Sequence, residues 1–166
     1  METVLYNRII EKAKTIGGDY NELRSDYCSA ISSLKTNENI LKVFHWESLL
    51  KEKNRIECTY ALKKGFDSQK KDVHMEKSNW HYELFENGFD DTTCIRALYE
   101  SAEYRKLEDE IRTAQDDVFS AFENDTETID KLCEVYSDYN YELVSAAYII
   151  GFEIKQYCKL VRETHI

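Results

Sequence analysis

Proline is absent from all 166 residues of this chain, and glycine occurs only five times. Proline is the residue that most reliably ends a helix or sets a tight turn, so a chain without it has few positions where helical backbone must stop. An all-α fold built from long helices is therefore expected, rather than a sheet protein with many turns. With 42% apolar residues the chain can supply a real core, and its length suits one compact domain or two small ones.

Hydrophobic spacing gives the expected elements. Val4, Leu5, Ile9, Ile10 and Ala13 recur at helical intervals in a first helix from Glu2 to about Ile16, which stops at Gly17-Gly18. Asp19 is the expected cap of a second helix, with Tyr20, Leu23, Tyr27, Ala30, Ile31 and Leu34 on one face and an end near Lys35. Thr36 or Asn37 caps a third helix, which reaches Phe66 and, with nothing to break it, extends toward Glu76. An aromatic connector follows (Trp80, Tyr82, Leu84, Phe85), then an Asn87-Gly88 turn. Asp90, Asp91 or Thr92 opens the next helix, continuous or kinked near Ser101, which runs on through Leu107, Ile111, Ala114, Val118 and Phe122.

From Thr126 to about Arg162 the pattern is cleanest. Ile129, Tyr136, Leu143, Ile150 and Tyr157 are each seven apart; Cys133, Ala147, Ile154 and Val161 form a second such series, interrupted only by Asn140. Two seams of this length describe a helix of about 35 residues, roughly 50 Å, packed lengthwise on another. The segments 31–66 and 118–152 each hold an apolar turn, a polar cap cluster and a long helix ending in Ala-x-x-x-Gly-Phe, and Tyr20-x-x-Leu23 matches Tyr104-x-x-Leu107. A tandem duplication accounts for this. The expected division is a first helical repeat at 1–77, an aromatic connector at 78–90 and a second, acidic repeat at 91–166, forming two related helical hairpins in an elongated bundle. Gly65-Phe66 and Gly151-Phe152 mark the repeat, since a mid-helix glycine costs about 1 kcal/mol relative to alanine and is retained for a close helix crossing.

This unit, with Ala-Tyr-Ile-Ile-Gly-Phe-Glu-Ile at 147–154, resembles a family of small helical proteins of unknown function from Firmicutes and their phages and mobile elements. Members typically carry one copy, with an aromatic residue before the Gly-Phe pair. The second half matches through Tyr148, Gly151 and Phe152. The resemblance implies a bacterial or phage setting, where small acidic helical proteins include inhibitors of host defence nucleases; it implies no catalytic residues.

Charge is distributed unevenly. The formal total is −10, yet residues 1–82 hold 14 Lys+Arg against 12 Asp+Glu and residues 83–166 hold 8 against 20. Glu100 to Glu142 alone has 14 acids and 4 bases. Such a balance argues against direct binding to nucleic acid or anionic lipid. No apolar run approaches the roughly 18 residues of a membrane span, and the start METVLYNRII lacks a signal-peptide pattern, so a cytoplasmic protein is expected.

Little in the sequence supports catalysis. None of His45, His74, His81 and His165 belongs to a Glu-x-x-His pair, and His-Glu-x-x-His and Cys-x-x-Cys are absent. Glu83/Glu86 and Glu100/Glu103 have ligand spacing, as acidic chains often do. Gly17-Gly18 lacks the surroundings of a phosphate loop. Cys28, Cys58, Cys94, Cys133 and Cys158 are best explained as buried, reduced thiols. No enzyme activity, metal or cofactor is expected.

The acidic stretch remains. Its carboxylates alternate with tyrosines, a mixture suited to burying area against a basic partner. The expected function is a non-enzymatic protein-binding module, of the kind a phage or mobile element uses to inhibit a defence nuclease (anti-CRISPR type), docking a nucleic-acid-mimicking helical face into a basic groove. Its partner-binding residues are Glu108, Asp109, Glu110, Asp116, Asp117, Asp130, Glu134 and Asp138 with Tyr136 and Tyr139. Two alternatives stand beside it. One is a homodimeric structural or scaffolding protein joined through the long helices; the basic cluster Lys51, Lys53, Arg55, Lys63 and Lys64 offers a complement to the acidic face, internally or in a head-to-tail dimer. The other is a metal-dependent helical-bundle hydrolase.

Overall fold

The computed structural model describes residues 3–16, 19–35, 38–67, 97–122 and 126–164, and every regular element among them is an α-helix. In chain order these are α1 (Thr3–Ile16), α2 (Tyr20–Leu34), α3 (Ile40–Asp67), α4 (Ala102–Ala121) and α5 (Thr126–Thr164). α5 has 39 residues, which spans about 58 Å at 1.5 Å per residue. The aromatic connector at 78–90, the Gly17-Gly18 stop, the Thr36 and Asn37 caps and any extension of α3 past Asp67 lie outside the described residues. Among the described residues no helix is long and apolar enough to cross a membrane.

Local chemistry explains several ends. Ser101 holds an extended backbone and its hydroxyl accepts from the Tyr104 amide at 3.4 Å, so α4 begins here. Asp19 departs from expectation. It occupies the cap position of α2 but is itself in a helical conformation, and its carboxylate makes no capping bond; only its backbone carbonyl accepts, from Leu23 N at 2.9 Å. The Asn39 carbonyl plays the same part for α3, accepting from the Lys42 and Val43 amides.

α5 is the element that most others touch. α3 runs along it, and α1 and α2 pack on it as well, whereas α4 packs on α3. α2 makes far more of its contact with α5 than with α3. Each shorter helix therefore leans on the long helix of the other half of the chain. Two apolar clusters result. One joins Ile9, Ala13, Tyr20, Cys58 and Ala61 to the 143–152 stretch of α5. The other gathers Tyr27, Ile31, Leu34, Val43, Trp46 and Leu50 with Leu107, Ile111, Val118, Ile129, Leu132 and Tyr136. The heptad seam of α5 is buried only in part: Ile129, Tyr136, Leu143 and Ile150 are core residues, but Tyr157 is 70% exposed and Ile154 37%.

α3 and α5 approach so closely that backbone meets backbone. A Cβ at Gly65 would fall inside contact distance of the Tyr148 carbonyl, and one at Gly151 would fall equally close to the Leu62 carbonyl. The contact is reciprocal, because Tyr148 and Leu62 each precede the opposite glycine by three residues. What a new methyl would strike is main chain, which cannot rotate away.

Gly151→Ala should therefore destabilise the protein by about 2 kcal/mol or more, even though alanine is the better helix former by about 1 kcal/mol. Urea unfolding followed by circular dichroism would measure it, and a stabilised variant would contradict the crossing.

Candidate functional site

The acids of the second half separate into two groups by what lies beside them. On α4, Asp109, Glu110, Asp116 and Asp117 are all exposed, but bases of the same helix are interleaved: Arg112 Nη1 lies 3.8 Å from Asp109 Oδ1, and Lys106 Nζ 3.4 Å from Glu110 Oε1. Pairs this exposed contribute about 0–1 kcal/mol, so they leave the carboxylates free to be recruited elsewhere.

On α5, Glu127, Asp130, Glu134 and Asp138 stand three or four residues apart and are all exposed, which places them in one stripe along the outward face. Residues 126–142 hold five acids and one base, Lys131. Among the described residues no ion pair closes onto Asp130, Glu134 or Asp138. The crowding of like charge is felt by Glu142, whose carboxyl is raised first by burial and then by Asp19 and Asp138.

Three expected contact residues are placed differently. Tyr136 belongs to the core at 8% exposure, and its hydroxyl donates to the Leu50 carbonyl at 2.8 Å. It falls on the inward seam with Ile129 and Leu143, so it offers nothing to a partner. Tyr139 is half-buried and stacked on Tyr27 at 5.4 Å between ring centroids. Glu108 turns inward, where its Oε1 lies 2.8 Å from Lys53 Nζ. Lys53 of the basic cluster thus pairs with an acid of the second half, whereas Lys51 pairs with Glu47 at 2.6 Å and Arg55 with Glu52 at 4.0 Å on their own helix.

Between α4 and α5 a cleft of about 290 Å³ opens onto α3, with Glu108, Arg112 and Gln115 on one wall, Cys133 and Ser137 on the other and Trp46 among its lining. The acidic stripe borders it, since Asp130 is close enough to Cys133 to add to the effect of burial in raising that thiol. Trp46 is 1% exposed, and its indole N–H has no hydrogen-bond partner among the described residues, an arrangement that costs about 1–3 kcal/mol.

The feature that spacing alone did not bring forward is a buried polar layer between the two apolar clusters. Tyr6 Oη donates to Asn54 Oδ1 at 2.7 Å, Asn54 Nδ2 to Asn140 Oδ1 at 2.5 Å, and Asn140 Nδ2 to Glu57 Oε2 at 2.6 Å. The Tyr104 hydroxyl donates to the other Glu57 oxygen, which also lies 4.0 Å from Lys53 Nζ. Four helices meet in this chain of donors. Glu57 is 2% exposed, and burial raises its carboxyl above the ordinary range despite the opposing influence of Lys53, Tyr104 and Asn140. Burial also lifts the phenols, Tyr6 to about 12. Cys58 is raised for the same reason, with Glu57 adding to it, so it is a poor nucleophile.

The cysteines divide. Cys58 is buried and Cys133 half-buried, but Cys28 and Cys158 are exposed, contrary to the expectation of buried thiols; Cys158 lies beyond the last buried residues of α5. Cys94 and the Glu83/Glu86 pair lie outside the described residues, as do His74, His81 and His165. Among the described residues no group of three or more potential metal ligands comes together. No family model, curated protein or solved structure matches this chain.

The raised carboxyl fixes a pH dependence. The folded state holds the Glu57 proton more tightly than the unfolded chain, so this contribution to stability is fully present below pH 4.5 and is lost as pH rises through the folded value. Glu47 acts in the opposite sense: burial opposes its ionisation, but Lys51 and Lys35 outweigh burial and lower it, so its contribution is lost as pH falls. Glu57→Gln should lose only the first effect. Urea midpoints of the two proteins compared from pH 4.5 to 8 should shift in favour of the variant as pH rises, and a constant difference would show that Glu57 titrates normally.

Proposed function

We propose that this chain is a non-enzymatic binding protein that docks on a basic protein surface through the outward face of α5, with the exposed acids of α4 beside it. The observation that carries this reading is the stripe Glu127, Asp130, Glu134 and Asp138, exposed and closed by no ion pair among the described residues. A long helix anchored on its other side holds these charges at intervals of about 5–6 Å. They are fixed before the partner arrives, so little ordering opposes binding, and the field speeds encounter at low salt. The cleft beside the stripe gives a partner side chain a place to enter.

The partner class that fits is a nucleic-acid-binding groove. Carboxylates repeated on a rigid rod imitate a phosphate backbone, which is how a phage or mobile-element protein would block a host defence nuclease of the CRISPR type. A bacterial cytoplasm would be the setting. The duplication inferred from the sequence is supported by how equivalent positions meet: the marker Gly65 crosses at Gly151, and Asn54 pairs with Asn140, each pair 86 residues apart. In this reading one copy kept a balanced surface and the other gained the acidic stripe.

The triple variant Asp130→Lys, Glu134→Lys, Asp138→Lys should keep wild-type helicity, since all three side chains are exposed, and should lose capture of a basic partner from lysate of the source organism at about 50 mM salt. DNA added in excess should compete with wild-type capture. Binding that survives both the triple reversal and about 300 mM salt would exclude electrostatic mimicry.

A further inference from the structure

On the side of the molecule formed by α1, α2, α3 and α5, a second cavity of about 200 Å³ is lined by five tyrosines, Tyr6, Tyr20, Tyr27, Tyr136 and Tyr139. For scale, an engineered cavity of about 150 Å³ holds a benzene molecule. Tyr27 and Tyr139 stack with an interplanar angle of 6°, and Tyr20 leans on Tyr139 at 31° with centroids 5.6 Å apart. The charged residues of the lining, Arg24, Lys51 and Arg55, are all basic. Lys51 and Arg55 have the acid partners described above, but Arg24 closes no ion pair among the described residues. Its charge nevertheless reaches the Tyr139 phenol, where it works against a rise caused chiefly by burial.

The cavity also has a poorly satisfied phenol. Tyr20 is 1% exposed, and its hydroxyl makes no hydrogen bond of good geometry among the described residues, standing only beside the Tyr139 phenol. The reason is visible in the other half. Tyr104, 84 residues later in the matching Tyr-x-x-Leu segment, donates to the Glu57 carboxylate. The residue 86 positions after Glu57, where a carboxylate for Tyr20 would be sought, is Leu143, a member of the same apolar cluster as Tyr20. Tyrosine was kept on one side and its acidic partner was not.

We propose that this cavity binds a small aromatic carboxylate, its ring among Tyr20, Tyr27 and Tyr139 and its carboxylate accepting from the Tyr20 hydroxyl and paired with Arg24. Aromatic walls provide offset or edge contacts to a flat ring. A basic lining with no acid in it selects against cations and favours an anion, and a buried charge-assisted bond to a phenol favours a carboxylate over a neutral polar group. The lining includes none of the stripe acids, and the site stands whether or not that stripe docks a protein.

Benzoate is the first probe. Titrated into the full chain while tyrosine ring resonances are followed by NMR, it should give saturable shifts confined to Tyr20, Tyr27 and Tyr139, with a Kd of about a millimolar as its few atoms allow. Benzyl alcohol, similar in size but neutral, should bind about tenfold more weakly. Tyr20→Phe and Arg24→Gln should each weaken benzoate by about five- to tenfold. Arg24 is exposed, so that variant cannot fail by misfolding. Absence of saturation by about 10 mM benzoate, equal affinity for the alcohol, or undiminished binding in either variant would overturn the assignment.

Discussion

The backbone crossing of α3 and α5 at Gly65 and Gly151 is the constraint on which the rest of the structure depends. Two helices in such close contact at one point must diverge on either side of it, and side chains of increasing size fill the gap as they separate. Small residues, Ala61, Ala146 and Ala147, lie near the crossing, and Trp46, Ile129 and Leu132 fill the wider end. The shorter helices then find their places against these diverging rods. The two cavities occupy the corresponding spaces to either side, one toward α4 and the other toward α1 and α2.

Asn54 and Asn140 each precede their crossing glycine by 11 residues, about three turns, so the polar pair lies on the same helical faces as the glycines. Buried amides paired across the two long helices penalise any slippage of one along the other, because a shift by one turn would break the pair. Glycines fix how closely the helices approach and asparagines fix their register. Glu57 makes the layer asymmetric. It draws Tyr104 and Lys53 from one side, and through Lys53 it reaches Glu108, which is why that acid is withdrawn from the surface that its neighbours Asp109 and Glu110 occupy.

Much of this was legible in the sequence, and what was not has physical reasons. The absence of proline and the seven-residue seams of α5 gave the helical class and the longest element, and the Gly-Phe pairs pointed to the crossing. Asn140 was visible as the single interruption of a seam. Its partners were not, because Asn54 and Glu57 sit among Lys53 and Arg55, and a polar residue flanked by charge reads as solvent-facing. One signal was available: Val43, Leu50 and Glu57 are seven apart, a core series ending in an acid. Tyr136 was misassigned to the docking surface because composition does not distinguish a tyrosine on the inward seam from one outside it. The acidic stripe of α5 follows from spacing alone, but the bases woven through α4 mattered only once the exposed face was known. That α2 leans on α5 rather than on α3 was hidden, since short connections favour neighbours in sequence.

The exchange of short helices between halves bears on how the protein is made. The apolar face of α2 leaves the ribosome about a hundred residues ahead of the segment of α5 that covers it, and the inner face of α3 waits through the 86 residues that separate Asn54 from Asn140. No part of the core can close on a nascent chain that stops at the first half. The core closes only once α5 has emerged, and in the interval those faces stay open to chaperones or to a neighbouring copy on the same message.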